Sequence, residues 1–315
     1  MKVTHLSSRL KENGGVDSLN KPMLSKQGTF GKDVSNKTQA IKSISIASLE
    51  HENKDQLLPP QPESIVRSLT HLLEKCEKYR ISKDYMLHQP FINEKMRTIL
   101  VDWMVDVCQK FKLLPQTIFM SVALVDRFLS KSRVERSRLQ LVGVTSVMII
   151  GKYEEIYPPT LKDFVSVCDN TYTAEEILEM ESTILLAIDF DLTPPVSFVM
   201  LEYFQQFLGL EEKEFTFCHY FLESTLLDLS YLDFSPSELA AGTLYLTNKL
   251  FKKGFWSQKE EEVTEISTIR VKTCAKQIYA IMHSNEGLEL SAIKCKFGSP
   301  KFHEVSRFRI EKVGN

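Results

Sequence analysis

Hydrophobic positions along most of the chain recur at intervals of three and four residues, the spacing of one face of an α-helix. The pattern begins near Pro62 and breaks at Thr193-Pro194-Pro195, and no stretch alternates convincingly with the period of two typical of a strand. It predicts an all-α protein in which a first helix precedes two tandem five-helix bundles of similar length. The helices are predicted at 63–78, 93–111, 116–130, 137–153, 160–168, 174–188, 196–208, 212–229, 236–251, 258–266 and 267–283, with a last short one at 288–297.

The first part of the chain has a different composition. It is rich in Ser, Asn, Lys and Gly, and Phe30 is its only aromatic residue. Such a segment cannot bury enough apolar surface to offset the entropy lost on ordering. We therefore expect a disordered tail at 1–61, a helix and connector at 62–92, bundles at 93–189 and 190–306, and a short tail at 307–315.

Composition and charge narrow the class of protein. Hydrophobic residues make up 43% and charged residues 25% of the chain, as in ordinary globular domains. A net charge of −2 provides no overall basic field, so we expect no nucleic-acid partner. The amino terminus has no apolar signal region, and the longest apolar stretch, 139–150, is too short to span a bilayer. We expect no membrane partner and a location in the nucleus and cytoplasm.

The cysteines lie far apart, and none forms a C-x-x-C pair. Each has an apolar, helix-like context, in which reduced cysteine behaves as a small core residue. We therefore expect no disulfide, no metal ion and no cofactor. The six are Cys76, Cys108, Cys168, Cys218, Cys274 and Cys295.

Two residues of opposite charge fall on the core-facing stripes of consecutive predicted helices. Arg97 has Leu100 as a helical neighbour, and Asp126 has Val122. Either charge would be very costly in the interior if it were unpaired. We predict an Arg97–Asp126 ion pair with a structural role.

A second pair of charges is harder to explain as structure. Glu181 lies among Ile177 and Ile184, and Lys152 closes the apolar helix 137–153. The helix dipole favours a lysine in a last turn, but it offers no reason for a carboxylate within an apolar stripe. Either the two charges pair inside the core, or this surface meets another protein and both charges bind its backbone.

The predicted helix 93–111 carries more apolar surface than a helix on a protein surface needs. One hypothesis is that it is central and buried on nearly all sides. The other is that the stripe from Met96 to Trp103 lines an exposed groove that receives a peptide. A tryptophan in a shallow apolar groove near a carboxylate such as Asp106 suits a ligand with one leucine and one arginine.

Several ordered motifs resemble the cyclin box of the A- and B-type cyclins. The similarity extends from about Ser64 to Ser306. The motifs are Met-Arg-Thr-Ile-Leu-Val-Asp-Trp from Met96, Val-Asp-Arg-Phe-Leu from Val125, Leu-Gln-Leu-Val-Gly from Leu139, Lys-Tyr-Glu-Glu-Ile-Tyr-Pro-Pro from Lys152, Asp-Asn-Thr-Tyr-Thr from Asp169, and Met180-Glu181.

The resemblance implies two tandem cyclin folds in a non-catalytic subunit that binds and activates a cyclin-dependent protein kinase in mitosis. Arg97 and Asp126 match a buried ion pair that fixes the first fold. Lys152 and Glu181 match a polar pair that contacts the kinase. The other positions that match kinase contacts are Tyr153, Phe190, Leu192 and, in the amino-terminal helix, Ile65 and Leu69.

The same resemblance implies a docking groove for Arg-x-Leu motifs in substrates and inhibitors. Asp106 and Asp169 match acidic positions that hold the arginine of the motif. The other groove positions are Met96, Ile99, Leu100, Trp103 and Gln140.

The predicted tail contains two candidate degradation signals. One is the KEN tripeptide Lys11-Glu12-Asn13. The other, at 27–37 with Phe30, resembles a destruction box that lacks the usual arginine and leucine. In a mitotic cyclin such motifs would recruit the anaphase-promoting ubiquitin ligase, whereas in a solvated linker they would be accidental matches.

Two other classes of protein compete with this hypothesis. A cyclin-fold binding module without a kinase, of the basal transcription factor kind, usually carries a zinc ribbon, and the chain has no C-x-x-C. An enzyme would show a site, but no Walker A loop, H-E-x-x-H or G-x-S-x-G motif occurs. The motifs do not separate the A type from the B type: Phe190-Asp191-Leu192 leans towards A or B3, and Tyr153-Glu154-Glu155 towards B.

Overall fold

Helices are the only regular secondary structure in the part of the chain that the structure describes, and no strand occurs there. The predicted all-α class is therefore confirmed. The amino-terminal helix is described only near its end, and its predicted residues Ile65 and Leu69 lie outside the described part, as do Lys11, Glu12, Asn13 and Phe30. The computed structural model describes residues 72, 75, 76, 78–254, 256–264, 266–284 and 290–308.

The first bundle consists of α1 (Glu94–Phe111), α2 (Pro115–Lys131), α3 (Leu139–Glu154), α4 (Leu161–Val167) and α5 (Ala174–Ala187). Its centre is α3, which packs against the other four helices. The side chains of α3 are buried from Leu139 to Ile150, because a helix that is apolar all round has no face suited to water.

The second bundle repeats this plan with α6 (Ser197–Leu208), α7 (Glu212–Thr225), α8 (Pro236–Leu250), α9 (Gln258–Thr264) and α10 (Thr268–Ser284). Here α8 is central and packs against α6, α7 and α10. A further helix, α11 (Ala292–Phe297), packs back onto α1 and so links the end of the second bundle to the first.

Each central helix carries a glycine where a neighbouring helix approaches closely. A Cβ atom on Gly143 would lie 2.6 Å from Cδ1 of Leu100, and one on Gly242 would lie 2.9 Å from Sγ of Cys274. A glycine inside a helix costs about 1 kcal/mol relative to alanine. The absent side chain is what allows α3 to approach α1 and α8 to approach α10.

One cysteine departs from the expectation that all six are core residues. Cys295 is exposed, whereas the other five are buried. The reason is the orientation of α11, which buries Ala292, Ile293 and Phe297 and turns Cys295 outward. Among the residues described, none of the cysteines forms a disulfide, and no cluster of His, Cys, Asp and Glu is suited to a metal ion.

No helix in the described ranges combines the length and the apolar character needed to cross a bilayer.

Candidate functional site

Arg97 on α1 and Asp126 on α2 form an ion pair without any solvent exposure. Nε of Arg97 donates to Oδ1 of Asp126 and Nη2 donates to Oδ2, each at 2.7 Å. The hydroxyls of Tyr85 and Tyr231 donate to the same two oxygens at 2.6 Å. Burial, reinforced by the carboxylate, raises the pKa of both tyrosines, so both remain donors. The charges are therefore satisfied, as burial requires.

This pair also joins the two bundles. Nη1 of Arg97 donates to the backbone carbonyl of Leu226, at the end of α7, at 2.7 Å. The neighbouring Thr98 hydroxyl donates to the carbonyl of Leu227 at 2.8 Å. Tyr231 belongs to the second bundle and Tyr85 to the connector before α1. One buried carboxylate thus holds three parts of the chain together.

Lys152, in the last turn of α3, and Glu181, on α5, form an ion pair at the surface. Nζ of Lys152 lies 2.7 and 2.9 Å from the two carboxylate oxygens of Glu181. The Lys152 side chain is 47% exposed and that of Glu181 17%. The two charges do pair, but outside the core, because α5 buries Ile177 and Ile184 and leaves Glu181 at the edge of that stripe.

Exposed apolar side chains flank the Lys152–Glu181 pair. They come from the end of α3, from the turn that follows it, from α5, and from the turn after α5. They lie near Lys152 or Glu181 along the chain, and large apolar side chains exposed in such number mark an interaction site in soluble proteins. We call these side chains, together with Lys152 and Glu181, the α3–α5 surface. Its apolar members are Tyr153, Ile156, Tyr157, Leu178, Leu186 and Phe190.

Sequence reasoning named only part of this surface. It named Tyr153 and Phe190, which are exposed members of this surface, and also Leu192, which is half-buried and not a member. Ile156 and Tyr157, at 86% and 92% exposed, were not predicted as contacts. Their signal was present, because two apolar residues between a helix end and a pair of prolines cannot join a helical core stripe. The other unpredicted members are Leu178 and Leu186.

The carboxylate of Glu155 holds the end of α3 against the start of α2. Leu114 is the capping residue just before α2, and its apolar side chain cannot cap the helix. The Leu114 N–H and the Thr117 hydroxyl instead both donate to Oε1 of Glu155 at 2.7 Å. A carboxylate at a helix amino terminus is favourable, and here it also fixes the position of the neighbouring Lys152 and Tyr153.

Asp191 fastens the segment that carries Phe190 and Leu192. Its carboxylate accepts from the Tyr79 hydroxyl at 2.7 and 2.8 Å and from Nζ of Lys78 at 3.2 Å. Burial opposes its ionisation, but the hydrogen bonds from Tyr79 and Lys78 outweigh this effect and lower the pKa of Asp191 to about 2. The turn after α5 is therefore tied to the segment before α1.

The stripe of α1 that was considered as a docking groove is almost entirely buried. The exposed fraction is 4% for Met96 and Trp103, 9% for Ile99 and zero for Leu100, and that of the groove residue Gln140 on α3 is also 4%. Because α1 packs against α2, α3 and α11, both of its apolar stripes are covered. The hypothesis of an openly exposed groove is thus wrong for this structure, and docking here stays a prediction that involves only the outer edges of these side chains.

The two acidic residues assigned to the groove are more accessible. Asp106 is half-buried on α1, and Asp169 is exposed in the turn between α4 and α5. Tyr172, in the same turn, donates its hydroxyl to the backbone carbonyl of Ser137 at 2.8 Å. This bond places the turn with Asp169 beside the start of α3, where Gln140 lies.

Comparison with known proteins agrees with this architecture. The family model described as "Cyclin, N-terminal domain" matches residues 67–193, and the one described as "Cyclin, C-terminal domain" matches residues 194–311. An all-helical chain with two bundles and these two matches belongs to the cyclin family.

Its relatives include G2/mitotic-specific cyclins of the B type and a putative cyclin of the A type. The chain is 32% identical to the G2/mitotic-specific cyclin-B2 of Macaca fascicularis over 97% of its own length and 79% of that protein. It is 34% identical to the G2/mitotic-specific cyclin-B of Hydra viridissima over 77% of its length, and the match spans only 62% of that protein. A putative cyclin-A3-1 of Arabidopsis thaliana is 37% identical over 85% of this chain and 79% of the relative. The resemblance to mitotic cyclins is confirmed.

Solved structures share the fold. A viral cyclin from herpesvirus saimiri matches with a TM-score of 0.60 and 23% identity, covering 68% of this chain and 97% of the viral one. A chain of the yeast RNA polymerase II CTD kinase CTDK-1 complex matches with a TM-score of 0.53 and 15% identity, covering 78% and 84% of the two chains.

Proposed function

We propose that this chain is a regulatory subunit that binds and activates a cyclin-dependent serine/threonine protein kinase in mitosis. Membership of the cyclin family and the mitotic relatives support the proposal. The observation that carries it is the α3–α5 surface, where exposed apolar side chains flank a surface ion pair. Burying apolar surface contributes about 25 cal/mol per Å², which is the driving force that such a surface offers a partner.

Lys152 and Glu181 act in this proposal as oriented polar groups at the centre of the contact. An exposed ion pair contributes only about 0–1 kcal/mol to stability, so the fold has little need of it. In the complex, the ammonium group can donate to backbone carbonyls of the kinase and the carboxylate can accept from its N–H groups. Pairing in the free chain holds both side chains near the geometry that binding requires.

Activation follows from a preference for one arrangement of the kinase. A partner that binds the active arrangement more tightly shifts the population towards it. A shift from about 1:99 to 99:1 takes about 5.5 kcal/mol of differential binding. In the active arrangement, the kinase's own lysine–glutamate ion pair and its metal-binding aspartate are in place for phosphoryl transfer. The cyclin itself contributes no bond chemistry.

Two finer roles extend this proposal. Substrates and inhibitors with Arg-x-Leu motifs would dock at the edges of the α1 stripe, with their arginine near Asp106 or Asp169. The KEN tripeptide Lys11-Glu12-Asn13, with the element around Phe30, would bring the anaphase-promoting ubiquitin ligase to the tail. The subunit would act in the nucleus and the cytoplasm.

A pull-down from dividing cells tests the central proposal. The full chain serves as bait, the bound proteins are identified, and the kinase activity of the bound fraction is measured. We expect a cyclin-dependent kinase whose activity depends on the bait. A bound fraction without kinase activity would instead favour a cyclin-fold binding module of the transcription factor kind.

A further inference from the structure

A cavity of about 210 Å³ lies where the segment before α1 and the two bundles meet. Tyr79 forms the wall on the amino-terminal side, Phe119 and Arg127 come from α2, Pro195 from the linker between the bundles, and Phe234 from the segment before α8. None of its lining residues belongs to the α3–α5 surface. The cavity is therefore separate from the surface proposed to bind the kinase.

Arg127 brings a positive charge into this cavity, and the carboxylate whose charge acts on it, that of Asp191, forms no direct ion pair with it. Its Nη1 donates to the backbone carbonyl of Asp191 at 2.6 Å, and its guanidinium lies 5.2 Å from the centre of the Tyr79 ring. Within the described ranges, Arg127 has no ion-pair partner. Burial lowers the pKa of Arg127 by removing part of the hydration of its guanidinium, and the nearby Asp191 and Tyr79 only partly offset this effect.

Two further arginines, Arg80 and Arg270, line the cavity, and Arg270 is paired with Glu238. Nε and Nη2 of Arg270 donate to the two oxygens of Glu238 at 2.7 and 2.9 Å, and Glu238 also accepts from the Ser235 N–H at 2.9 Å. The carboxylate of Glu238 is therefore already paired with Arg270 and is not available to a cationic ligand. An anionic ligand would find an available guanidinium at Arg127, whose planar fork suits a carboxylate.

The size and the aromatic walls define the rest of the ligand. An apolar cavity of about 150 Å³ holds benzene, so one of about 210 Å³ accommodates a substituted ring. Phe119, Tyr231 and Phe234 line the cavity and contribute aromatic surface. We propose that the cavity binds a small organic carboxylate with a ring-sized apolar body, its ring against these aromatic residues and its carboxylate on Arg127.

Binding should show as a rise in stability. The walls come from three parts of the chain, and a ligand that binds only when they are assembled stabilises that assembly. The full chain is titrated with 3-phenylpropionate, 3-phenylpropionamide and 3-phenylpropylamine in separate calorimetric and thermal denaturation experiments. We expect one saturable site for the carboxylate, about tenfold or more weaker binding of the amide, and no binding of the amine.

Variants connect this selectivity to the cavity. Arg127→Met should remove the preference for the carboxylate over the amide, whereas Arg127→Lys should retain part of it. Ala123→Leu, which places a larger side chain at the cavity wall, should weaken the binding of carboxylate and amide alike. Arg133→Met, at an exposed arginine that does not line the cavity, should bind as the unmodified chain does.

Three results would overturn the proposal. They are the absence of saturable binding by the carboxylate, undiminished preference for it in Arg127→Met, and unchanged binding in Ala123→Leu. If Arg127→Met does not fold, Arg127→Lys and Ala123→Leu decide between the same outcomes. No kinase takes part in these experiments, so their result does not depend on the proposed function.

Discussion

Arg97 and Asp126 lie on consecutive helices of the first bundle, yet their ion pair is the point at which both bundles and the connector before α1 meet. Asp126 accepts from Tyr85 of the connector and from Tyr231 of the second bundle. Arg97 reaches the carbonyl of Leu226 as well. Together with the packing of α11 on α1, one buried carboxylate and the guanidinium that faces it thus set the relative position of the two bundles.

Asp126→Ala should lower the free energy of unfolding by about 3–5 kcal/mol, because it leaves Arg97 as an unpaired buried charge. Chemical denaturation followed by circular dichroism measures the change. Tyr231→Phe, which removes one hydrogen bond to the same carboxylate, is the matched control and should cost less, about 1.5–3 kcal/mol. An Asp126→Ala protein as stable as the unmodified chain would show that the pair is not the clamp described above.

Lys152→Glu should abolish kinase binding and leave the fold intact. The side chain is half-exposed, and its ion pair contributes little to stability. Reversing the charge places two carboxylates together at the centre of the α3–α5 surface. Binding is measured by titration calorimetry with the purified kinase, and folding by thermal denaturation. Lys83→Glu, in the exposed Lys83–Asp233 pair, is a matched control that should still bind. Equal loss of folding and of binding in Lys152→Glu would make the pair structural.

Asp169→Lys should weaken the recruitment of Arg-x-Leu substrates without affecting activation. Asp169 is exposed, so the substitution leaves no cavity, and it turns attraction for the arginine of the motif into repulsion. The KM for a substrate with the motif should rise while kcat stays unchanged, because docking contributes uniform binding remote from the reacting phosphate. Kinetics with peptides that carry or lack the motif separate these effects, and Glu262→Lys on α9 is a control for charge alone. Similar losses with both peptides would argue against docking here.

The hydrogen bonds of Asp191 should make the free energy of unfolding depend on pH in the acidic range. The fold lowers the pKa of this carboxyl from 3.8 to about 2, so the folded state binds its proton less readily than the unfolded state does. The stabilisation is therefore present above about pH 4 and disappears as the pH falls towards about 2. Asp191→Asn should lose less stability than the unmodified chain over that interval, and Tyr79→Phe should lie between the two. Melting temperatures measured from pH 5 to pH 2 test this order, and parallel curves for all three proteins would contradict it.

Replacing Lys11, Glu12 and Asn13 with alanine should prolong the lifetime of the protein at mitotic exit. A recognition tripeptide in the tail can be removed without altering the two bundles, so kinase activation should persist. Turnover is followed in an extract that contains active anaphase-promoting ubiquitin ligase, with alanines at Glu52, Asn53 and Lys54, the same residue types outside both candidate signals, as a control in the same tail. Unchanged turnover of the first variant would make the tripeptide an accidental match.

The helices and the family were determined by the sequence alone. Helical periodicity is a local property, so α1 to α10 lie close to their predicted positions, and the start of α5 follows from Thr173 and Glu176, which form a capping box. The ordered motifs from Met96 to Glu181 are specific enough to define the cyclin family without coordinates. An arginine and a carboxylate on neighbouring core stripes also had to find partners, because an unpaired buried charge is too costly.

Only the tertiary structure decided which surfaces are exposed. The stripe from Met96 to Trp103 is buried because α11, far along the chain, packs onto α1 together with α2 and α3. Lys152 and Glu181 form their ion pair at the surface rather than in the core, because α5 buries the face with Ile177 and Ile184 and leaves Glu181 at the edge of that face. The additional partners of Arg97 and Asp126 come from residues more than 40 and more than 100 positions away. Contacts over such separations depend on how whole helices pack, and that packing cannot be predicted from the periodicity of a single helix.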